Sequence, residues 1–171
     1  MDQMDEITVG TVESENDLKG ILALQRACRL PTADGFVTVE HSLDTLRAMH
    51  ALAPSIVARD PEGRVVAYAL VMPKETRELI PLLEPMFRMI EALPEGEICG
   101  RPDARWYVMG QVAVAAEHRG TGLFARLYEA HRTHYSGVFD AVITEVSTRN
   151  PRSLHAHRRV GFRTVSTYRD A

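Results

Sequence analysis

Arg119-Gly120-Thr121-Gly122 stands between an apolar run at 111–115 and a helical-looking stretch that begins at Leu123. Those residue types in that place could hold an anion. The first N–H groups of a helix have no partners inside it, and they sit at the positive end of the helix dipole. Glycines at 120 and 122 remove the Cβ atoms that would keep a large anion off the backbone, and Arg119 adds a charged donor. A pyrophosphate site at a helix N-terminus needs these parts. The spacing does not fit a P-loop, which requires a longer glycine loop ending in Gly-Lys-Ser/Thr, nor a dinucleotide fingerprint, which requires three spaced glycines. A tight strand-to-helix turn that uses glycine for geometry alone accounts for the stretch equally well.

A second set of reactive side chains lies toward the C-terminus. Asn150 suits an N-cap and Pro151 the first helical position behind it. The helix they open puts Ser153, Ala156, His157 and Val160 on one face and turns Arg152, His155, Arg158 and Arg159 away. An inward imidazole at 157 could move a proton; it could equally be a hydrogen-bonded core histidine. Glu145, on a strand predicted over 139–146, could act as a base through water or pair with an arginine. Gln111 and Tyr107 fall on one face of a strand over 106–115, together with Met109 and Ala113, where either could touch a substrate. His131 reads as core.

The elements that position these groups follow from periodicity and punctuation. A strand at 7–12 leads to Ser14, three residues before Asp17, which opens a helix over about 15–29. Residues 31–35 form a loop, Ser42 caps a second helix, and Pro54 ends it. Strands at 55–59 and 64–72 flank the turn Asp60-Pro61-Glu62-Gly63 as a hairpin. The segment 73–105 is less regular, with one or two short helices bounded by Pro81 and Pro85 and a loop over 95–104. The strand at 106–115 is apolar on both faces, as in a covered sheet, and Gly110 marks a bulge. A helix over 123–135, the strand at 139–146, the helix from Pro151 to a terminating Gly161, and a last strand over 163–168 complete a mixed α/β order.

Composition sets the outer bounds. The chain has 171 residues, 45% hydrophobic and 25% charged, which suits one domain with a core of ordinary size. A formal net charge of -3 argues against nucleic acid as the main partner. No apolar run is long enough to span a membrane, and the acidic first residues carry no secretory signal. Cys28 and Cys99 form no disulfide framework and no zinc pattern, so no metal is expected and a cytoplasmic location is the simplest.

VAVAAEHRGTGLFARL followed by NPRSLHAHRRVGF resembles the GNAT superfamily of acetyl-CoA-dependent N-acetyltransferases. Arg119, Gly122 and Phe124 stand at the Arg/Gln-x-x-Gly-x-Gly/Ala motif. Asn150, Ser153, His157, Gly161 and Phe162 stand at the later Asn-x-x-Ser/Ala-x-x-x-Tyr-x-x-x-Gly-Phe motif. There are two departures: Phe124 replaces a small residue, and His157 replaces a tyrosine.

The resemblance implies a GNAT-like acyl-CoA N-acyltransferase fold, α/β, with a central mixed, mostly antiparallel β-sheet whose parallel strands splay, flanked by helices, as one domain over 1–171. It implies acetyl-CoA as co-substrate. Backbone groups of Val112, Ala113 and Val114 would pair with the pantetheine arm. Amides of Arg119, Gly120, Thr121, Gly122 and Leu123 would hold the pyrophosphate, and Asn150 and Ser153 would lie near the thioester. Val112 or Ala113 would donate to the oxyanion. His157 is then the candidate for giving a proton to sulfur, and Glu145 for taking one from the amine. The acceptor would be a small-molecule amine or a peptide, bound against the first two helices and the loop at 30–41. The apolar segment 79–93 would cover the acceptor, form a homodimer contact or extend the core. A domain that binds CoA without turnover, as a sensor or interaction module, is the rival.

Overall fold

A computed structural model of the chain describes residues 6–29 and 39–169. Strands β1 (Thr8–Thr11), β2 (Ile56–Arg59), β3 (Val65–Met72), β4 (Trp106–Val114) and β5 (Ala141–Ile143) form one sheet in the order β1-β2-β3-β4-β5. Every neighbouring pair is antiparallel except β4 and β5, which run parallel. Helices α1 (Glu15–Ala27) and α2 (Leu43–Leu52) pack together against β3, while α5 (Leu123–Tyr135) crosses β1, β2 and β3. Covered in this way, β3 reads VVAYALVM and is buried from Val66 to Met72.

Local chemistry explains where the helices begin. Ser14 Oγ accepts from Asp17 N–H, and Asp17 reaches back to Ser14 N–H at 3.2 Å, closing the expected capping box on α1. Arg59 of β2 donates to Asp17 at 2.8 Å, so the same carboxylate fastens α1 to the sheet. Burial pushes the Asp17 carboxyl up, but the Arg59 bonds and the N–H groups of Glu13 and Ser14 outweigh it and hold it below its ordinary value. Ser42 caps α2 as expected.

The segment between β3 and β4 holds two short helices, α3 (Thr76–Leu79) and α4 (Glu84–Glu91), joined by a 3₁₀ turn over Pro81–Leu83. Arg77 bonds Glu84 at 2.8 Å and Glu91 at 2.6 Å and staples the pieces together. Phe87 and Ile90 are buried, and Phe87 stacks on Trp106 at 6.0 Å, so part of this segment extends the core.

The predicted bulge lies at Gly110. Ala69 pairs with Val112 but Val71 with Met109, so β4 carries one residue more than β3 between the two pairs. A Cβ at Gly110 would stand 2.1 Å from Sδ of the fully buried Met72, which only glycine avoids. The predicted strand at 163–168 is absent. Those residues are exposed and join no ladder; Arg163 bonds Glu97 and the Tyr168 hydroxyl bonds Glu145. Strand-forming side chains there have no partner strand to pair with. The strand predicted at 139–146 is also shorter, since ladder pairing stops at Ile143.

Candidate active site

The parallel ladder between β4 and β5 covers only Trp106–Val108 against Ala141–Ile143. Past it β4 continues to Val114 while the other chain leaves the sheet. Thr144 Oγ1 donates to Met109 C=O at 2.9 Å and closes the point of the fork. Beyond the fork, the side of β4 that faced β5 pairs with no strand among the described residues. Ala115 N–H donates to Val66 C=O of β3 at 2.8 Å. Backbone groups alternate along an antiparallel pair, so Ala113 also faces β3, and Val112 and Val114 face the gap. Of the three residues expected to hold a pantetheine arm, Val112 presents its backbone to the gap, Val114 has its C=O already taken by Arg119 Nε and only its N–H to offer, and Ala113 faces β3.

At the open end of β4 a 3₁₀ turn, Ala116–His118, leads into the glycine pair, and both glycines have left-handed backbone: φ is 73° at Gly120 and 82° at Gly122. A residue with a Cβ would be strained at either position. Gly122 is the N-cap of α5, and among the described residues no side chain caps that helix. Thr121, the hydroxyl best placed to do so, instead donates to His118 C=O at 2.6 Å. The first amides of α5 are thus left for something else. Arg119 behaves differently from expectation. Its Nε donates to Val114 C=O at 3.0 Å, its guanidinium lies 3.8 Å from Cys28 Sγ, and its own N–H goes to Ala116 C=O. In this arrangement the side chain braces the turn from beneath.

Helix α6 (Pro151–Arg159) forms the other wall of the gap. Asn150 caps it, with Oδ1 accepting from Ser153 N–H at 3.2 Å, and Gly161 ends it at φ 103°. A cavity of about 110 Å³ occupies the fork between β4 and α6; Gln111, Val112, Glu145, Asn150, Ser153 and His157 are among the residues that line it. Of the expected residues, Val112, Glu145, Asn150, Ser153 and His157 are brought together in this lining; Ala113, Val114 and the glycine turn are outside it.

His157 is buried, and its ring is fully bonded. Nδ1 lies 2.7 Å from Ser153 C=O, which can only accept, so Nδ1 carries the hydrogen. Nε2 then accepts the Tyr128 hydroxyl at 2.7 Å. Burial pushes the imidazole below its ordinary value, partly offset by the Ser153 bond. Burial also pushes the Tyr128 phenol well up, so it keeps its proton and donates. The ring is a neutral, hydrogen-bonded core histidine at the edge of the cavity. Phe124, the other departure from the family motif, meets it edge-on at 5.0 Å. The two departures are one packing unit, with Tyr128 and Phe162 completing it. The sequence signal for this unit was the spacing of Phe124 and Tyr128, one helical turn apart.

Glu145 lies two residues past the end of β5, is exposed at the mouth of the cavity, and is bonded by the Tyr168 hydroxyl, where an arginine was the expected partner. Gln111 and Tyr107 do not share a face. Met72 stands opposite Val108 and Tyr68 opposite Ala113, and Tyr68 and Met72 lie on one face of β3. Val108 and Ala113 therefore share a face although five residues apart, and Tyr107 lies on the other. The bulge makes this switch. Gln111 accepts from Tyr68 and donates to Val39 C=O, both at 2.6 Å, whereas Tyr107 turns to α5 and bonds His131 at 2.8 Å. His131 is core, as expected, and its Nε2 has no partner among the described residues. Of the expected acceptor loop at 30–41, residues 30–38 lie outside the described residues; Val39 and His41 line the cavity.

Residues 24–162 match the model of the Acetyltransferase (GNAT) family. The chain belongs to that family. Solved structures of GNAT proteins share the fold across most of the chain. The GNAT family N-acetyltransferase YhbS from Escherichia coli, in complex with CoA, is 22% identical with a TM-score of 0.57, over 92% of this chain and 69% of that one. The aminoglycoside 6'-N-acetyltransferase AAC(6')-Ih from Acinetobacter baumannii is 15% identical with a TM-score of 0.63, over 96% of both chains. A phosphinothricin acetyltransferase from Sinorhizobium meliloti, in complex with AcCoA, is 17% identical with a TM-score of 0.61, over 91% of this chain and 74% of that one. Among curated proteins, none matches the chain in sequence. As a GNAT sheet, the five strands keep the mixed, splayed arrangement expected from the motifs. No helix among the described residues is long and apolar enough to cross a membrane.

Proposed function

We propose that the protein transfers the acetyl group of acetyl-CoA to an amine of a small molecule or peptide. One observation carries the proposal: the edge of β4 opened at the fork by Met109 leads, through the 3₁₀ turn and the glycine pair, to the uncapped start of α5. A thioester coenzyme has a matching shape, with an amide-bearing arm that can pair with a strand edge and a diphosphate that suits helix amides. In this placement the pyrophosphate rests on the amides of Gly120, Thr121, Gly122 and Leu123. The arm pairs with Val112 and with the N–H of Val114, whose C=O is held by Arg119, and the thioester lies by Asn150 and Ser153. Val112 N–H, the gap-facing member of the expected pair, then donates to the carbonyl oxygen as it becomes an oxyanion.

The proton steps follow from what the side chains have left to offer. His157 spends both ring nitrogens on Tyr128 and Ser153. Its bonding fits an anchor that holds α6 against α5 better than a donor to sulfur. The thiolate, with a pKa near 8.5 by analogy with cysteine, leaves without an acid at modest cost. Glu145 at the mouth is the candidate to relay a proton to water. The two free thiols, Cys28 and Cys99, suit a reducing cytoplasm.

Melting with and without acetyl-CoA, followed by thiol release over a panel of amines, tests the proposal. A rise in melting temperature together with release supports it. Binding without release from any amine would mark a coenzyme-binding sensor, and no shift at all would remove both. For His157→Phe we expect coenzyme affinity to persist; a large fall in kcat at saturating substrates would restore His157 as a proton donor.

A further inference from the structure

The acceptor amine must enter the same cavity, and the side chains around it differ in what they have left to give. His157 is fully bonded, the Ser153 N–H donates to the Asn150 cap while its hydroxyl lies 3.3 Å from His157 Nδ1, and Glu145 is bonded at the exposed mouth by Tyr168. His41 is different. It is 6% exposed and lines the cavity, yet its imidazole has no hydrogen-bond partner among the described residues. Its position is fixed by the backbone around it. Gln25 of α1 donates to His41 C=O at 3.0 Å, and Gln111 of β4 donates to Val39 C=O at 2.6 Å. Two buried glutamines thus pin this stretch to a helix and to the bulge beside the fork. They leave, in the lining of the cavity that α6 also lines, a ring with no hydrogen bond among the described residues.

The rest of that wall is apolar. Met72, Ile80, Leu82 and Leu83 line it, and Leu82 is 71% exposed, far more than burial of a leucine in a core would leave. Glu145 is the one carboxylate in the lining among the described residues, and it sits at the mouth. A polycationic acceptor would need several carboxylates to replace its water. An apolar amine needs none and gains by covering Leu82.

We infer that His41 is the proton acceptor for the attacking amine, and that the acceptor is a small apolar primary amine whose hydrocarbon part lies on Ile80, Leu82 and Leu83. The inference rests on the acetyltransferase proposal above. The amine binds uncharged. Its lone pair forms the C–N bond to the thioester carbonyl carbon, and the nitrogen becomes positively charged. A ring nitrogen of His41 takes one of its two hydrogens. The C–S bond then breaks with its electron pair on sulfur, and the thiolate is protonated by His41 or by water. The products are the amide and CoA thiol, with no net proton lost. Burial alone pushes His41 below its ordinary value, so the ring is neutral and able to accept at pH 7.

The test uses the full chain, hexylamine and phenethylamine as apolar probes, spermidine and glutamate as polar ones, and thiol release as the signal. The apolar amines should show kcat/KM at least about tenfold above the polar pair. His41→Gln should lower kcat about a hundredfold while the melting shift with acetyl-CoA stays as in the wild type. The pH profile separates catalysis from structure. With hexylamine, wild-type kcat/KM falls as pH drops because the amine protonates, and it falls twice as steeply in logarithmic terms below the His41 pKa. His41→Gln should show the single slope throughout. The groups that surround His41 do not mimic this step. Gln25, Met72 and Gln111 do not titrate, His157 is already bonded, Glu40 is paired with Arg26 and Arg29, and Glu145 is a carboxylate. Leu82→Asp changes an exposed position, so it folds, and it should raise KM for hexylamine about tenfold but not KM for acetyl-CoA. Equal kcat and equal slopes in His41→Gln, or preference for spermidine, would overturn the inference. So would a melting shift with acetyl-CoA but no release from either apolar amine. No melting shift in the wild type would instead remove the transferase proposal beneath it.

Discussion

Helices α5 and α6 both open onto the same gap, and they begin in opposite ways. At α6, Asn150 folds its side chain over the first turn and bonds Ser153 N–H. At α5, Gly122 has no side chain, and Thr121 turns its hydroxyl back to His118. α1 and α2 resemble α6, with Ser14 and Ser42 as caps. A capped start serves the fold, worth roughly 1 kcal/mol. A bare start forgoes that stability and leaves donors for a ligand. The short helices α3 and α4 also start without a side-chain cap, so a bare start points to a site only where, as at α5, it follows left-handed glycines at the open end of a splayed strand.

The contrast can be broken most forcefully at Gly122. Asp tolerates left-handed backbone better than most residues, so Gly122→Asp should fold. It sets a negative charge and a competing cap where the diphosphate belongs. Acetyl-CoA affinity measured by calorimetry should drop a hundredfold or more, about 3 kcal/mol, while the left-handed backbone costs the fold only about 1 kcal/mol. Unchanged affinity would show that the bare amides serve no ligand.

The next effect separates the body of α5 from its tip. Burial, with His134 adding to it, holds His131 down at a pKa of about 4. A depressed imidazole favours the fold while it is neutral. Stability is therefore complete above the unfolded value of about 6.5 and declines as pH falls toward 4, by up to about 3 kcal/mol. Denaturant titrations across that window should show the loss, and His131→Gln should flatten it. If the slope persists in that variant, the charge is accepted elsewhere in the core.

The smallest effect sits at α6. Asn150→Ala should lower unfolding free energy by about 1 kcal/mol in urea titration, with acetyl-CoA affinity altered severalfold at most. A hundredfold loss of affinity with full stability would make α6 a ligand site like α5 and erase the difference between them.

The sequence carried the local features well. Ser14, Ser42, Asn150 and Pro151 mark helix starts, Gly161 marks an end, and Gly110 marks the bulge, because caps, turns and bulges act within a few residues of themselves. The glycine turn was legible for the same reason: left-handed backbone at 120 and 122 is demanded locally. The family motifs added the splayed sheet, and it is present.

What chain-local pattern could not supply depends on distant partners. One extra residue in β4 sends Gln111 and Tyr107 to opposite faces, and only pairing with β3 reveals that the count of two has been broken. His157 looked available because its partner Tyr128 lies 29 residues away on another helix. Residues 163–168 have strand-forming side chains but no ladder, since a strand exists only where a second backbone meets it. His41 shows the converse: its sequence context marks it as nothing more than a loop residue, and two glutamines from α1 and β4 carry it to the wall of the cavity. Helix caps and tight turns are settled by neighbours along the chain, whereas the free valence of a buried side chain is settled by whatever the fold brings against it.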